Sequence, residues 1–176
     1  GGHMTVVVGL VDGEQVVLGC DSCVTYDGVA HTHHGPKWRS VGSDAVVAYS
    51  GNVMVWQTLE SCIKNFSRQK RLSAETRIRI AVIDPLRKAL SKIGEDDDTP
   101  DLLVVLPPGF GDRLWLVHGW VVIPAEVGIA TIGCGGAVAH GALEHATGTP
   151  EERVLKSLKS ASRVLGVRPP YHVAVF

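Results

Sequence analysis

Three residues near the start of the chain have the types and spacing for hydrolytic chemistry. Thr5 follows Met4 and opens the run Thr5-Val6-Val7-Val8-Gly9-Leu10, and Asp21 and Lys37 lie 16 and 32 residues further on. A threonine at a free N-terminus carries a hydroxyl nucleophile and an amine base in one residue. An α-amine titrates at roughly 7.7–8.0, close to working pH, which suits a general base. A lysine beside the hydroxyl favours loss of its proton, and an aspartate paired with that lysine fixes its position. Each residue also has a plainer role: Thr5 as a β-former, Asp21 in a turn, Lys37 as a solvated hairpin charge. It is the three together that point to catalysis. Gly1-Gly2-His3 reads as a remnant of tag removal and Met4 as the initiator, so residues 1–4 are set apart and 5–176 are read as one domain.

The rest of the composition narrows the class. Apolar residues make up 45% of the chain and charged residues 20%, ordinary for a globular protein. Seventeen basic against eighteen acidic residues leave a net charge of -1, which gives no support for nucleic-acid or membrane-surface binding. No apolar run reaches the length of a transmembrane helix, and no leader precedes Thr5, so a cytoplasmic location is expected. Cys20-Asp21-Ser22-Cys23 has the C-x-x-C spacing of redox and zinc sites. A zinc site needs further ligands, and His31, His33, His34 and the distant His118 repeat no known spacing. Reduced structural thiols are the preferred reading, and neither a metal nor a cofactor is expected.

The elements that must position these residues come in blocks. Residues 5–11 are a β-branched strand, Asp12-Gly13 a hairpin turn, and 15–19 the returning strand. Residues 22–36 are polar and His-rich, a loop or irregular hairpin. A second hairpin joins 37–41 to 45–50 through Gly42-Ser43-Asp44. A helix comes next at 53–67, with Val55, Trp56, Leu59, Cys62, Ile63 and Phe66 on one face. Ser73 caps the second helix, whose apolar stripe is Ile78, Ala81, Val82, Leu86, Ala89, Leu90 and Ile93. Ile80 and Ile83 fall off that stripe, Pro85 bends or interrupts the helix, and Gly94 stops it. The acidic stretch from Glu95 to Asp98 reads as a solvated turn. Strands return at 102–106, 113–118, 120–123 and 129–132. Helices occupy 137–146 and Thr149-Pro150-Glu151-Glu152 to about 165, before a last strand at 171–176. Strands and helices in blocks suit α+β layers of antiparallel sheet and exclude a doubly wound fold.

With those residues in view, the chain resembles the proteasome β-subunit and HslV-like family of N-terminal nucleophile hydrolases. The resemblance covers nearly all of residues 5–176. It rests on Thr5-Val6-Val7-Val8-Gly9, on Gly19-Cys20-Asp21-Ser22, and on Lys37 with the later Ala48-Tyr49-Ser50-Gly51-Asn52. The fourth piece is Ile132-Gly133-Cys134-Gly135-Gly136 with the helices after it. The resemblance implies a four-layer αββα sandwich of two antiparallel sheets flanked by helices. It further implies a threonine-type endopeptidase that cuts polypeptides inside a homo-oligomeric, stacked ring, and it brings in an ATP-dependent unfoldase as a partner. By the same resemblance the catalytic set is Thr5, Asp21 and Lys37, with Gly51 as oxyanion donor and Cys134 where the family has a serine near the threonine amine. Val24, Gly35, Tyr49 and Val53 would line an apolar specificity pocket. The family's later Asp and Ser fall near Val164 and Val167, so that support for the amine is replaced by apolar residues.

Two other functions share the same residues, because fold and function separate easily. One is an amidohydrolase acting on a small amide, told apart by its substrates. The other is a non-catalytic ring subunit, which intact Asp21 and Lys37 argue against and the changes at Cys134 and Val164 argue for.

Overall fold

The computed structural model describes residues 5–26, 29–33, 35–42, 45–51, 53–63, 71–94, 99–125, 127–165 and 167–176. Residues 1–4, His34, Ser43, Asp44, Asn52, Phe66 with the end of the first expected helix, and the acidic stretch 95–98 lie outside them.

Eleven strands and five α-helices are described. The strands are β1 (Val7–Asp12), β2 (Gln15–Cys20), β3 (Cys23–Tyr26), β4 (Val29–Thr32), β5 (Trp38–Val41), β6 (Ala45–Ser50), β7 (Asp101–Val105), β8 (Leu114–His118), β9 (Val121–Pro124), β10 (Ile129–Ile132) and β11 (His172–Val175). The helices are α1 (Val53–Cys62), α2 (Ala74–Ile78), α3 (Asp84–Ile93), α4 (Gly136–His145) and α5 (Pro150–Leu165). One antiparallel sheet runs β10-β1-β2-β11, a second runs β5-β6-β7-β8-β9, and β3 with β4 forms a separate hairpin. Within the stretch expected to be irregular, β3 and β4 pair antiparallel, with Cys23 opposite Thr32.

Three apolar cores separate four layers, the αββα sandwich the resemblance implies. The central core lies between the sheets, and strand alternation decides who enters it. Val7, Leu18, Val46, Ala48, Leu103 and Val105 point inward to this core. The alternate residues of the same strands point outward to helices: Val8, Leu10 and Val17 to α4 and α5, and Val47, Tyr49, Leu102 and Val104 to α1, α2 and α3. Strands covered on both faces read as near-continuous apolar runs, which is why β1, β2 and β7 are rich in Val and Leu and β6 in Val and Ala.

Local chemistry sets the helix ends. The hydroxyl of Ser73 accepts the amide of Thr76 at 3.2 Å. Thr149 and Glu152 form a reciprocal capping box: the Glu152 amide donates to the Thr149 hydroxyl at 3.2 Å, and the Thr149 amide to the Glu152 carboxylate at 2.9 Å. Gly94 closes α3 at φ 78°, a left-handed value glycine takes without steric cost. Pro85 interrupts the second helix, as expected, through a π-helical turn at Arg79–Ile83 that places proline in the first turn of α3. There its missing N–H costs nothing. The wider π turn brings Ile83 inside, where the expected stripe left it out. Leu86 and Leu90 stay buried as expected, but Ile93, the last residue of α3, is 50% exposed, which corrects its place in the stripe. Ile80, at 46%, stays outside as expected. Among the described residues no helix is long and apolar enough to cross a membrane.

One close approach ties α5 to β2. A Cβ at Gly19 would lie 2.3 Å from Val154 Cγ1 and 3.0 Å from Leu158 Cδ1. Gly19→Ala is expected to lower stability by about 1–3 kcal/mol, and adding Val154→Ala to relieve the clash should recover part of the loss. Urea unfolding of the single and double variants checks this; an unchanged midpoint for Gly19→Ala contradicts it.

Candidate active site

Lys37 sits where the ends of four elements meet. It precedes β5, beside the turn from β2 to β3 and the residues leading into β1. Its side chain is 2% exposed, so its charge has to be met by protein groups. An ammonium has three protons, and three acceptors surround this one: the Thr5 hydroxyl, Asp21 Oδ1 at 2.5 Å and the Cys23 carbonyl at 2.7 Å. Asp21 is fully buried and equally well held. Its Oδ1 accepts the Val6 amide at 2.9 Å and the Thr5 hydroxyl at 3.2 Å, and its Oδ2 accepts the Cys23 amide at 2.8 Å. The Thr5 hydroxyl is thus a donor to a carboxylate and an acceptor from an ammonium, in a pocket where Thr5 is 6% exposed. An alkoxide formed there would face a positive charge in a poorly screened setting.

The loop between β10 and α4 cradles Thr5 from the other side. The Thr5 backbone nitrogen donates to Cys134 Sγ at 3.3 Å, and the Gly135 amide donates to the Thr5 carbonyl at 3.3 Å. Gly133, at φ 88°, has to be glycine twice over. A Cβ there would lie 2.3 Å from the Thr5 carbonyl oxygen and 2.7 Å from Ser50 Oγ. Ser50 ends β6 and Gly51 follows it, so this end of the second sheet abuts the loop. Gly51 has φ 114°, and a Cβ built on it would meet nothing within 4 Å, so the space beside it is open.

The remaining expected residues are distributed around this cluster. Val24 on β3, Gly35 after β4 and Val53 at the start of α1 are partly exposed. Tyr49 is buried and stacks on Trp56 with ring centroids 4.0 Å apart, while its backbone amide donates to the Lys37 carbonyl. Burial pushes the Tyr49 hydroxyl up to about 12, against the opposing charge of Arg39. Val164 is exposed and Val167 is buried in the core beneath α4 and α5. The thiols of Cys20 and Cys23 are buried, and among the described residues no metal-holding cluster forms around them. Burial pushes the Cys20 thiol up to about 11, outweighing the lowering by backbone hydrogen bonds from Lys37 and His172. Sequence reasoning assigned no role to the main chain of Cys23 or to Ser22 and His172. Ser22 is adjacent to Asp21 and was visible in the motif; His172, 150 residues away, carries no spacing signal.

No protein-family model matches the chain, and no curated protein sequence matches it either. Solved structures do. Eukaryotic HslV from Trypanosoma brucei superposes with a TM-score of 0.66 at 19% identity, over 97% of this chain and 98% of that one. BPH from Thiobacillus denitrificans, in complex with epoxomicin, gives 0.76 at 17% identity over 97% of both chains. Anbu from Pseudomonas aeruginosa, in a helical assembly, gives 0.73 at 17% identity over 97% of this chain and 80% of that one. The chain therefore has the fold of the HslV-like and proteasome-like N-terminal nucleophile hydrolases.

The buried pair and the buried thiol each make a stability prediction. Lys37→Ala leaves the Asp21 carboxylate without its counter-ion and should cost about 3–5 kcal/mol. Three other donors still reach that carboxylate, so the lower end is expected, and Lys37→Met with Asp21→Asn should unfold at a higher urea concentration than Lys37→Ala. A Lys37→Ala midpoint equal to the parent's contradicts the buried pair. For Cys20 the folded value, about 11, lies above the ordinary 9.0. The neutral thiol is favoured in the folded chain, so this contribution is complete below pH 9 and is lost as pH rises towards 11. The stability difference between the parent and Cys20→Ala should shrink by about 2–3 kcal/mol over that range, read from urea unfolding at pH 8 to 11.

Proposed function

We propose that this chain is a threonine-type peptidase whose nucleophile is Thr5 once its amine is free. The observation that carries the reading is the convergence of the Lys37 ammonium on the Thr5 hydroxyl and Asp21 Oδ1 in a buried setting. In the sequence Thr5 is joined to Met4 by an amide, whose nitrogen lone pair is delocalised into the carbonyl and cannot act as a base. Removal of residues 1–4 supplies the amine. That amine takes the proton of the Thr5 hydroxyl, directly or through a water, while Lys37 stabilises the developing alkoxide. Oγ1 attacks the substrate carbonyl carbon, and the resulting oxyanion accepts the Gly51 N–H. The carbon–nitrogen bond breaks, the proton held by the amine passes to the leaving nitrogen, and an ester remains on Thr5. Water activated by the same amine then hydrolyses the ester. Cys134 Sγ, hydrogen-bonded to the Thr5 nitrogen, orients the amine in place of a serine hydroxyl. Val24, Gly35, Tyr49 and Val53 are the residues that would supply an apolar pocket preferring apolar or aromatic residues before the cut bond.

The reading extends to a homo-oligomeric ring in the cytoplasm that encloses polypeptide substrates and is served by an ATP-dependent unfoldase. Ile80 and Ile93, both about half exposed, are surface a partner subunit would cover. A second reading, a non-catalytic ring subunit, is favoured by the thiol at Cys134, since sulfur is a weaker hydrogen-bond partner than a hydroxyl.

The direct test is a fluorogenic peptide library offered to the chain with Met4 verified in place and to a form verified to begin at Thr5. Hydrolysis by the second form alone, lost in Lys37→Met with Asp21→Asn, is expected. Equal activity with Met4 attached contradicts the amine mechanism, and no activity from the Thr5 form favours the non-catalytic subunit. By light scattering at micromolar concentration, a closed ring of about six subunits or more is expected; a monomer contradicts compartmentalised proteolysis.

A further inference from the structure

The turn that carries Asp21 is held from outside the catalytic cluster. Ser22, the next residue, is fully buried, and each of its polar groups is engaged. Its amide donates to the Arg168 carbonyl at 3.2 Å, and its own carbonyl accepts the His33 amide at 2.7 Å. Its hydroxyl donates to the Pro170 carbonyl at 2.5 Å and lies 3.1 Å from His172 Nε2. A hydroxyl has one proton, and a carbonyl can only accept. The Ser22 proton is therefore spent on Pro170, and His172 has to be the donor: the imidazole carries its proton on Nε2. The result is a directed chain from His172 Nε2–H to Ser22 Oγ and from Ser22 O–H to the Pro170 carbonyl.

This chain locks the segment 168–172 onto the Asp21 turn, and the lock reaches Lys37, the charged partner of Asp21. His172 pairs with Cys20 across β11 and β2. The Cys20 sulfur accepts the Lys37 backbone amide at 3.3 Å. His33, held by the Ser22 carbonyl, is four residues before Lys37 in the segment that leads to it. Asp21 itself is aimed by the Cys23 and Val6 amides. Those two bonds hold only while the 21–23 backbone stays where Ser22 is fastened.

We propose that Ser22 and His172 form a positioning pair that fixes Asp21 against Lys37 and Thr5. Neither residue touches the reacting atoms. The proposal rests on the Thr5 reading only for its effect on rate, since the geometry it governs has its own observable.

The test compares Ser22→Ala, His172→Leu and His172→Gln in the form beginning at Thr5. Glutamine keeps an N–H donor near the place of Nε2, and leucine removes it. Two readouts are taken. Residue-resolved hydrogen exchange follows the Val6 and Cys23 amides, which report the Asp21 carboxylate whether or not the protein turns over. The second is the maximal rate of Thr5 modification by a threonine-directed covalent inhibitor, separated from the inhibitor's half-saturating concentration. Ser22→Ala and His172→Leu should speed exchange at both amides and slow the maximal rate about 10- to 100-fold with little change in half-saturation. His172→Gln should restore both, and the Ser22→Ala, His172→Leu double variant should be no worse than the single ones. Parent-like exchange at Val6 and Cys23 in Ser22→Ala and His172→Leu overturns the positioning pair. An unmodified Thr5 in the parent overturns the nucleophile instead, and the exchange readout still decides the pair.

Discussion

The Lys37 ammonium is the constraint on which the rest of the site depends. A charge at 2% exposure is tolerated only if every proton has an acceptor. The three acceptors come from distant stretches: the residues before β1, the end of β2 and the start of β3. Meeting that demand brings Thr5, Asp21 and Cys23 to one point. The Asp21 carboxylate extends the same logic, since its two oxygens use the Val6 and Cys23 amides that adjoin the strands on either side. A buried ion pair of this kind contributes little to net stability. Its effect is to define a geometry, and the geometry suits activation of a hydroxyl.

The layers around it give that geometry its rigidity. Thr5 lies at the head of β1, a central strand paired with β2 and β10 and packed on both faces. The loop from β10 to α4 continues from β1's own neighbour, so the residues 133–135 reach the Thr5 backbone from the strand beside it. Lys37 enters from the second sheet, through the β5–β6 hairpin whose Tyr49 amide holds its carbonyl. The two sheets thus deliver the two halves of the candidate site, and the core between them sets their separation.

Much of this was legible in the sequence because it is periodic or local. The β-branched runs announced strands, and Ser73, Thr149 and Gly94 announced helix ends whose chemistry involves only neighbours. Thr5, Asp21 and Lys37 were legible by type and spacing. Two kinds of feature were not. The π turn before Pro85 inserts one residue into the helical period, so a stripe read at constant pitch put Ile83 outside; Ile93, expected inside, sits at the end of α3 where its face runs out to the surface. The link between Ser22 and His172 joins opposite ends of the chain across an antiparallel pairing, and nothing local marks a serine and a histidine as partners at that separation. Similarly, the obligatory glycine at 133 is imposed by the approach of the Thr5 carbonyl, a contact between residues far apart in the chain that no local pattern advertises.

The central claim is that the Thr5 hydroxyl, set by Lys37 and Asp21, is a nucleophile. It is tested most directly by locating a covalent adduct. The form beginning at Thr5 is treated with a threonine-directed inhibitor, and its intact mass and the modified residue are determined by mass spectrometry, alongside Lys37→Met with Asp21→Asn. One adduct per chain, mapped to Thr5 and absent from the double variant, is the predicted result. An adduct on another residue such as Cys134, or none on a correctly folded Thr5 form, would contradict the account.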